Sequence, residues 1–151
     1  GQWVTVTIHP APLGTGVRLV RSDLPGQPAC PATVGYRNDA ALRTNLQNGP
    51  ARFQMVEHLM AALAGTGVHN AIIEIDGPEV PILDGSSAPF VAAIVAKGVR
   101  RLAAPLHAIK VLRSVEARLG DAVARLDPAE TLEVNFEIDF TDAALATKNA
   151  N

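Results

Sequence analysis

The sequence has one cysteine, Cys30, in 151 residues, so no disulfide can form within the chain. That count suits a reducing compartment such as the cytoplasm and excludes a small disulfide-stapled scaffold. No apolar run approaches the ~18 residues that a membrane-spanning helix needs, and no secretory signal pattern is read at the start. Positive charge is not in excess either: the net charge is −2 with a pI near 6.1. Nucleic acid is therefore not an expected partner, because such partners demand a basic face. Lys97, Arg100 and Arg101 form the one basic cluster, and they follow a predicted helix end, where cations complement the helix dipole. What remains is 48% hydrophobic and 19% charged, a globular composition. The chain opens on Gly1 rather than Met, which leads us to expect an upstream segment.

Val4, Val6 and Ile8 alternate with Thr5, Thr7 and His9, the period of a half-buried strand. Pro10 to Gly16 is turn chemistry, and Val17 to Arg21 is expected to return as the second strand of a hairpin. Asp23 to Pro31 is rich in Pro and Gly and reads as loop, followed by a short strand near Ala32–Tyr36. Two short strands about a turn at Asn48-Gly49-Pro50 are expected before Phe53. Val56, Leu59, Met60, Leu63 and Ala64 fall at i, i+3, i+4, i+7 and i+8, predicting a helix from about Gln54 to Ala64. Ile72, Ile73 and Ile75 predict an interior strand. Phe90, Val91, Ile94 and Val95 form the stripe of a second helix, with Pro89 in its first turn and Gly98 as its stop. Two helices over a sheet give the expected fold class: α/β, as an α+β two-layer sandwich.

The character changes after Pro105. His107 to Val115 is strand-like, and Gly120-Asp121 marks a tight hairpin between Val115–Leu119 and Ala122–Leu126. Leu132, Val134, Phe136, Ile138 and Phe140 alternate strictly with polar residues. A strand of that kind needs a partner layer for its apolar face, and no helical pattern follows to supply one. Residues 1–104 are therefore expected to be one α/β domain, and 105–151 the opening strands of an incomplete second.

Chemistry concentrates at the first turn of the first helix. Glu57 and His58 sit side by side there, while the face opposite the core stripe carries only Ala61, Ala62 and Gly65. An acid and an imidazole against so apolar a background want a reason. One reading makes His58 a metal ligand and Glu57 a general base; the other makes both helix-terminal groups favoured by the dipole. No H-E-x-x-H pattern completes the site, since Ala62 stands at i+4. His9, His69 and His107 are scattered without ligand-like spacing, and Cys30 reads as an ordinary thiol. Asp84-Gly85-Ser86 could hold an anion at a helix N-terminus, although capping is the simpler account.

The words of the sequence carry more. Val56-Glu57-His58-Leu59-Met60-Ala61-Ala62-Leu63-Ala64-Gly65, then Gly67, Asn70 and Glu79-Val80-Pro81-Ile82-Leu83-Asp84-Gly85-Ser86, resemble the UDP-3-O-acyl-N-acetylglucosamine deacetylase family. The likeness extends from Pro10-Ala11-Pro12 and Arg21-Ser22-Asp23-Leu24 to Gly120-Asp121 and Phe136-Glu137-Ile138-Asp139-Phe140.

This resemblance implies a zinc-dependent hydrolase of lipid A biosynthesis in Gram-negative bacteria. Its fold would be two similar α/β domains with helices facing across the active site. It implies that His58 is the first zinc ligand and that Glu57 is the base activating water for attack on the acetamide carbonyl. Leu42, Arg43 and Thr44 would fall in a small-sheet segment lining the substrate cleft; where the family has Cys or Ser, this chain has Arg43. Leu42 and Thr44 are thus the expected substrate contacts, with UDP-3-O-acyl-GlcNAc as substrate. Family members are about twice as long, so the remaining zinc ligands and a catalytic histidine are expected from a missing C-terminal half. Met55 replaces the usual Thr, and Asp139-Phe140-Thr141-Asp142-Ala143 departs from the usual Asp-Phe-x-His-Pro. The fragment alone is expected to be inactive. Two other outcomes stay open: a non-catalytic domain binding acyl or nucleotide-sugar ligands, and an assembly protein whose tail strands pair between chains.

Overall fold

A computed structural model describes residues 3–138 and 148–150. The chain divides into two compact units, Gly1–Ala104 and Pro105–Asn151.

In the first unit β1 (Val6–Pro10), β2 (Val17–Arg21) and β3 (Ala29–Pro31) are joined by a strand from much later in the chain. After β4 (Arg37–Asn38), β5 (Asn45–Asn48), β6 (Ala51–Phe53) and helix α1 (Glu57–Gly65) comes β7 (Ala71–Ile75). The main sheet runs in the order β1-β7-β2-β3. The expected β1–β2 hairpin therefore does not form. β7 lies between them, antiparallel to β1 (Ile8 opposite Ile73) and parallel to β2 (Leu19 opposite Ile73). The physical reason is burial: Ala71, Ile73 and Ile75 are almost wholly buried, and the centre of a sheet is where such a strand loses most water contact. Pro10–Gly16 is a connection between non-adjacent strands.

β4, β5 and β6 make a separate three-stranded sheet. Two further expectations fail nearby. The Pro-rich segment read as loop ends in β3, which pairs with β2 through Leu19 and Cys30. The strand expected around Ala32–Tyr36 is instead a short 3-10 turn at Val34–Tyr36.

Helix α1 buries Leu59, Ala62 and Leu63, and α2 (Ala88–Lys97) buries Phe90 and Ile94. They close over a core that includes Leu19, Phe53, Val56, Ile73, Ile75 and Val80. Each large side chain there contributes about 1.5–3 kcal/mol through burial. The result is the α+β two-layer arrangement. No helix among the described residues is long and apolar enough to cross a membrane.

The second unit is simpler. β8 (Val115–Leu119) and β9 (Ala122–Leu126) form the expected hairpin, and Gly120 supplies the positive φ (+58°) its two-residue turn requires. Val115, Ala117, Leu119, Ala122, Ala124 and Leu126 lie in register along one face. β10 (Phe136–Ile138) pairs with β11 (Lys148–Ala150). The long alternating strand expected from Leu132 is thus reduced to three residues before the described segment ends, and Phe140 lies outside it. Residues 107–114 form no strand, because an extended segment without a partner leaves its backbone bonds to water.

Candidate functional site

Helix α1 starts later than its apolar periodicity suggests. Gln54 is held by a parallel bridge to Glu79: its N–H donates to the Pro78 carbonyl (2.8 Å), and its carbonyl accepts from the Val80 N–H (3.0 Å). The chain then turns through Met55 at φ +59°, and the helix begins at Glu57. The N-cap position is Val56, without a side-chain capping bond.

The loop ahead of β5 is stitched to this first turn by two bonds of opposite sense. The Val56 N–H donates to the Thr44 carbonyl (3.2 Å), and the Thr44 N–H donates to Glu57 Oε2 (2.9 Å). Glu57 therefore does not cap its own helix; its carboxylate reaches back to a neighbouring loop. His58, next along, is likewise half-buried. Arg43 forms an ion pair with Glu79 at 3.7 Å. Leu42 is fully exposed and left-handed, at φ +59°. A shallow groove of about 240 Å³, lined by Val34, Leu46, Val56 and Met60 among others, includes Thr44.

The turn before α2 completes the picture. Asp84 Oδ1 accepts from the Ser86 N–H (2.9 Å) and from the Ser86 hydroxyl (2.8 Å), and Ser86 Oγ accepts from the Ala88 N–H (3.1 Å). Ser86, one residue ahead of the N-cap, satisfies the first helical amide while Asp84 fixes Ser86; the N-cap itself is Ser87, which makes no side-chain capping bond. The Ser86 hydroxyl, then its amide, hold the Asp84 carboxyl below its ordinary range, and the charge of His58 adds a smaller push in the same direction. Leu83, just before Asp84, is again left-handed (φ +53°). Of the four non-glycine residues with positive φ among the described residues, three introduce these segments: Leu42, Met55 and Leu83. Such conformations cost of order 1–3 kcal/mol each and concentrate at functional sites.

The structure thus brings Glu57 and Thr44 into direct contact, with His58 adjacent and Leu42 two residues away. Cys30 is buried on β3, where burial pushes its thiol pKa up. Sequence reading missed the Thr44 amide and the Glu79 pairing, neither of which had a local signal; the Asp84-Gly85-Ser86 segment it did single out, by its capping residues ahead of a helix.

Fold and site together define an α+β two-layer protein that presents a carboxylate and an imidazole at the start of one helix. The family model described as "LpxC: UDP-3-O-acyl N-acetylglycosamine deacetylase" matches residues 1–151. The UDP-3-O-acyl-N-acetylglucosamine deacetylase of Shewanella sp. (strain W3-18-1) is 44% identical over 147 residues, 97% of this chain and 48% of that protein. Those of Shewanella sp. (strain ANA-3) and Shewanella baltica (strain OS155) are 43% identical over the same shares. The chain belongs to the UDP-3-O-acyl-N-acetylglucosamine deacetylase family. It spans about half the length of the curated relatives it matches.

Proposed function

We propose that this chain supplies the general base and one metal ligand of a zinc-dependent deacetylase acting on UDP-3-O-acyl-N-acetylglucosamine. The observation that carries the reading is the carboxylate of Glu57, tied at Oε2 by the Thr44 amide beside His58, in a chain of this family. A carboxylate fixed by one oxygen keeps the other for proton transfer, the geometry general-base catalysis requires.

Among the described residues, no three His, Cys, Asp or Glu side chains stand close enough together to hold a metal ion. A hydrolytic zinc site takes three protein ligands, so the described residues do not make a complete one. The reading gives His58 one position and assigns the other ligands, with the second half of the cleft, to residues outside those described. Zinc, when bound, would supply Lewis acidity. Everything else assigned here concerns this chain's own groups. Glu57 Oε1 accepts a proton from the water that attacks the acetamide carbonyl. The C–N bond then breaks as the proton taken up by Glu57 passes to the leaving amine nitrogen, and acetate leaves carrying the oxygen of the attacking water. Leu42 and Thr44 line the sugar side of the cleft. Ala61, Ala64 and Gly65 of α1 are exposed, whereas Ala62, expected on that small-residue face, is buried in the core; residues 105–151 are assigned as the opening strands of a second domain. The reaction belongs to lipid A biosynthesis in the cytoplasm of a Gram-negative cell.

The test mixes the chain with a polypeptide carrying the second half of the Shewanella sp. (strain W3-18-1) relative and follows acetate release. Turnover is expected from the mixture and not from the chain alone. Glu57→Gln should lower kcat by about 10²–10⁴, and His58→Ala should remove one equivalent of bound zinc. Full turnover by the Glu57→Gln mixture would overturn the assignment of the base, and turnover by the chain alone would overturn the divided site.

A further inference from the structure

We propose that Arg43 is a specificity-determining residue of this site and that its guanidinium receives the diphosphate of the nucleotide-sugar substrate. The inference rests on the functional reading above and extends it to a further residue of this chain.

Three observations converge on it. First, position: the carbonyl carbon of Arg43 is bonded to the Thr44 nitrogen, which lies 2.9 Å from Glu57 Oε2. The Arg43 Cα is therefore within about 5.5 Å of that carboxylate, by standard backbone dimensions. Second, commitment: the one partner of the guanidinium among the described residues is Glu79, at 3.7 Å, with both side chains partly exposed (34% and 48%). At that separation it is an ion pair without a hydrogen bond, weak enough for an entering anion to displace. The guanidinium fork, which matches phosphate oxygens two at a time, is left with its donors unspent. Third, field: Glu57, Glu79 and Asp84 all present carboxylates along the segments that meet here. A diphosphate approaching that rim would be repelled unless a fixed cation offset them. Arg43 stands between Glu57 and Glu79 and is placed to do so. The loop is anchored at the next residue, where the Thr44 N–H donates to Glu57 Oε2 and the Thr44 carbonyl accepts from the Val56 N–H, so the charge is presented from a fixed backbone.

The experiment titrates the 151-residue chain, ¹⁵N-labelled, with UDP, inorganic pyrophosphate and uridine, following the Arg43 Nε–H and the amides of Leu42 to Thr44. UDP and pyrophosphate are expected to shift these resonances, and uridine is not. Arg43→Ala should weaken both anions by about tenfold or more, the scale of a lost charge-assisted pair, while Arg43→Lys retains part of the affinity. Glu79→Gln, which removes the competing carboxylate, should tighten them. Absence of a shift with either anion, shifts from uridine alone, or unchanged UDP affinity in a folded Arg43→Ala chain would overturn the proposal. Zinc uptake and acetate release by the chain mixed with the second half of the Shewanella sp. (strain W3-18-1) relative separate the two readings. Turnover by that mixture without anion binding at Arg43 removes Arg43's role alone, and anion binding at Arg43 with neither zinc uptake nor turnover by the mixture removes the parent reading.

Discussion

The Thr44 amide donates to Glu57 Oε2 at 2.9 Å, across thirteen residues of sequence. That bond sets the orientation of the acid at the site, and it is made by backbone, so the side chain at position 44 does not encode it. Its value lies in fixing one oxygen: a carboxylate free to rotate would spread its two oxygens over many directions, whereas this one presents Oε1 in a single direction.

The bond is directly measurable. In Glu57→Ala the Thr44 amide loses its acceptor and should exchange with solvent faster by about ten- to a hundredfold, on the scale of the roughly 1.5–3 kcal/mol of a hydrogen bond to a charged group. Glu57→Gln keeps an acceptor oxygen and should lose less protection. Hydrogen exchange read by NMR at Thr44 checks this; equal exchange in all three chains would mean the carboxylate does not hold the loop.

A second pair braces the two sheets. Arg21 is nearly buried at the end of β2; its Nε and Nη2 donate to the two oxygens of Asp23 (2.8 and 2.7 Å), and Nη1 donates to the Arg52 carbonyl (3.1 Å). Removing Asp23 leaves a buried guanidinium short of its counter-charge, so Asp23→Ala should destabilise the chain by about 2–4 kcal/mol in urea titration. The hydrogen bond from Arg21 holds the Asp23 carboxyl below its ordinary value. A depressed carboxylate stabilises the fold above its unfolded pKa, near 3.9, and that contribution is lost as pH falls through the lower folded value. Stability should therefore fall with acid below about pH 4, and the slope should be shallower in Asp23→Asn.

Gly77 is a packing constraint rather than a turn requirement. A Cβ there would lie 2.8 Å from Val4 Cγ2 and 3.4 Å from Cγ1, and the two segments are already tied by the Thr5 N–H to Asp76 Oδ1 (2.6 Å). Gly77→Ala should cost about 1–3 kcal/mol, the range for overpacking. Adding Val4→Ala should recover part of it, and thermal unfolding of the single and double variants tests the pair. A fully additive loss would show that the clash is not the cause.

Much of the fold was legible because it follows from local pattern. The two helices, the apolar β7, the short strands before Phe53 and the Gly120-Asp121 hairpin are each written in periodicity or turn residues. What failed was pairing. Val17–Arg21 reads as the return of a hairpin, and nothing within twenty residues of it reveals that Ala71–Ile75 will lie between it and β1. Ala29–Pro31 looks like loop because proline and glycine crowd it, yet β2 offers it an edge. Residues 107–114 look extended and find no partner at all.

The site divides in the same way. Glu57 and His58 stand out by chemistry, and their motif carries the family likeness that the comparisons bear out. The sequence by itself therefore determined the element types, the two-layer class, the family and the position of an acid beside an imidazole, because all of these depend on residue identity at short range. Only the tertiary structure decided which strand takes the centre of the sheet and which backbone amide holds Glu57. It also decided that Arg43 meets Glu79 and that Met55 must turn left-handed to start the helix late. Those are long-range pairings, fixed by competition among all segments for buried positions and hydrogen-bond partners, and no short stretch of sequence carries the outcome of that competition.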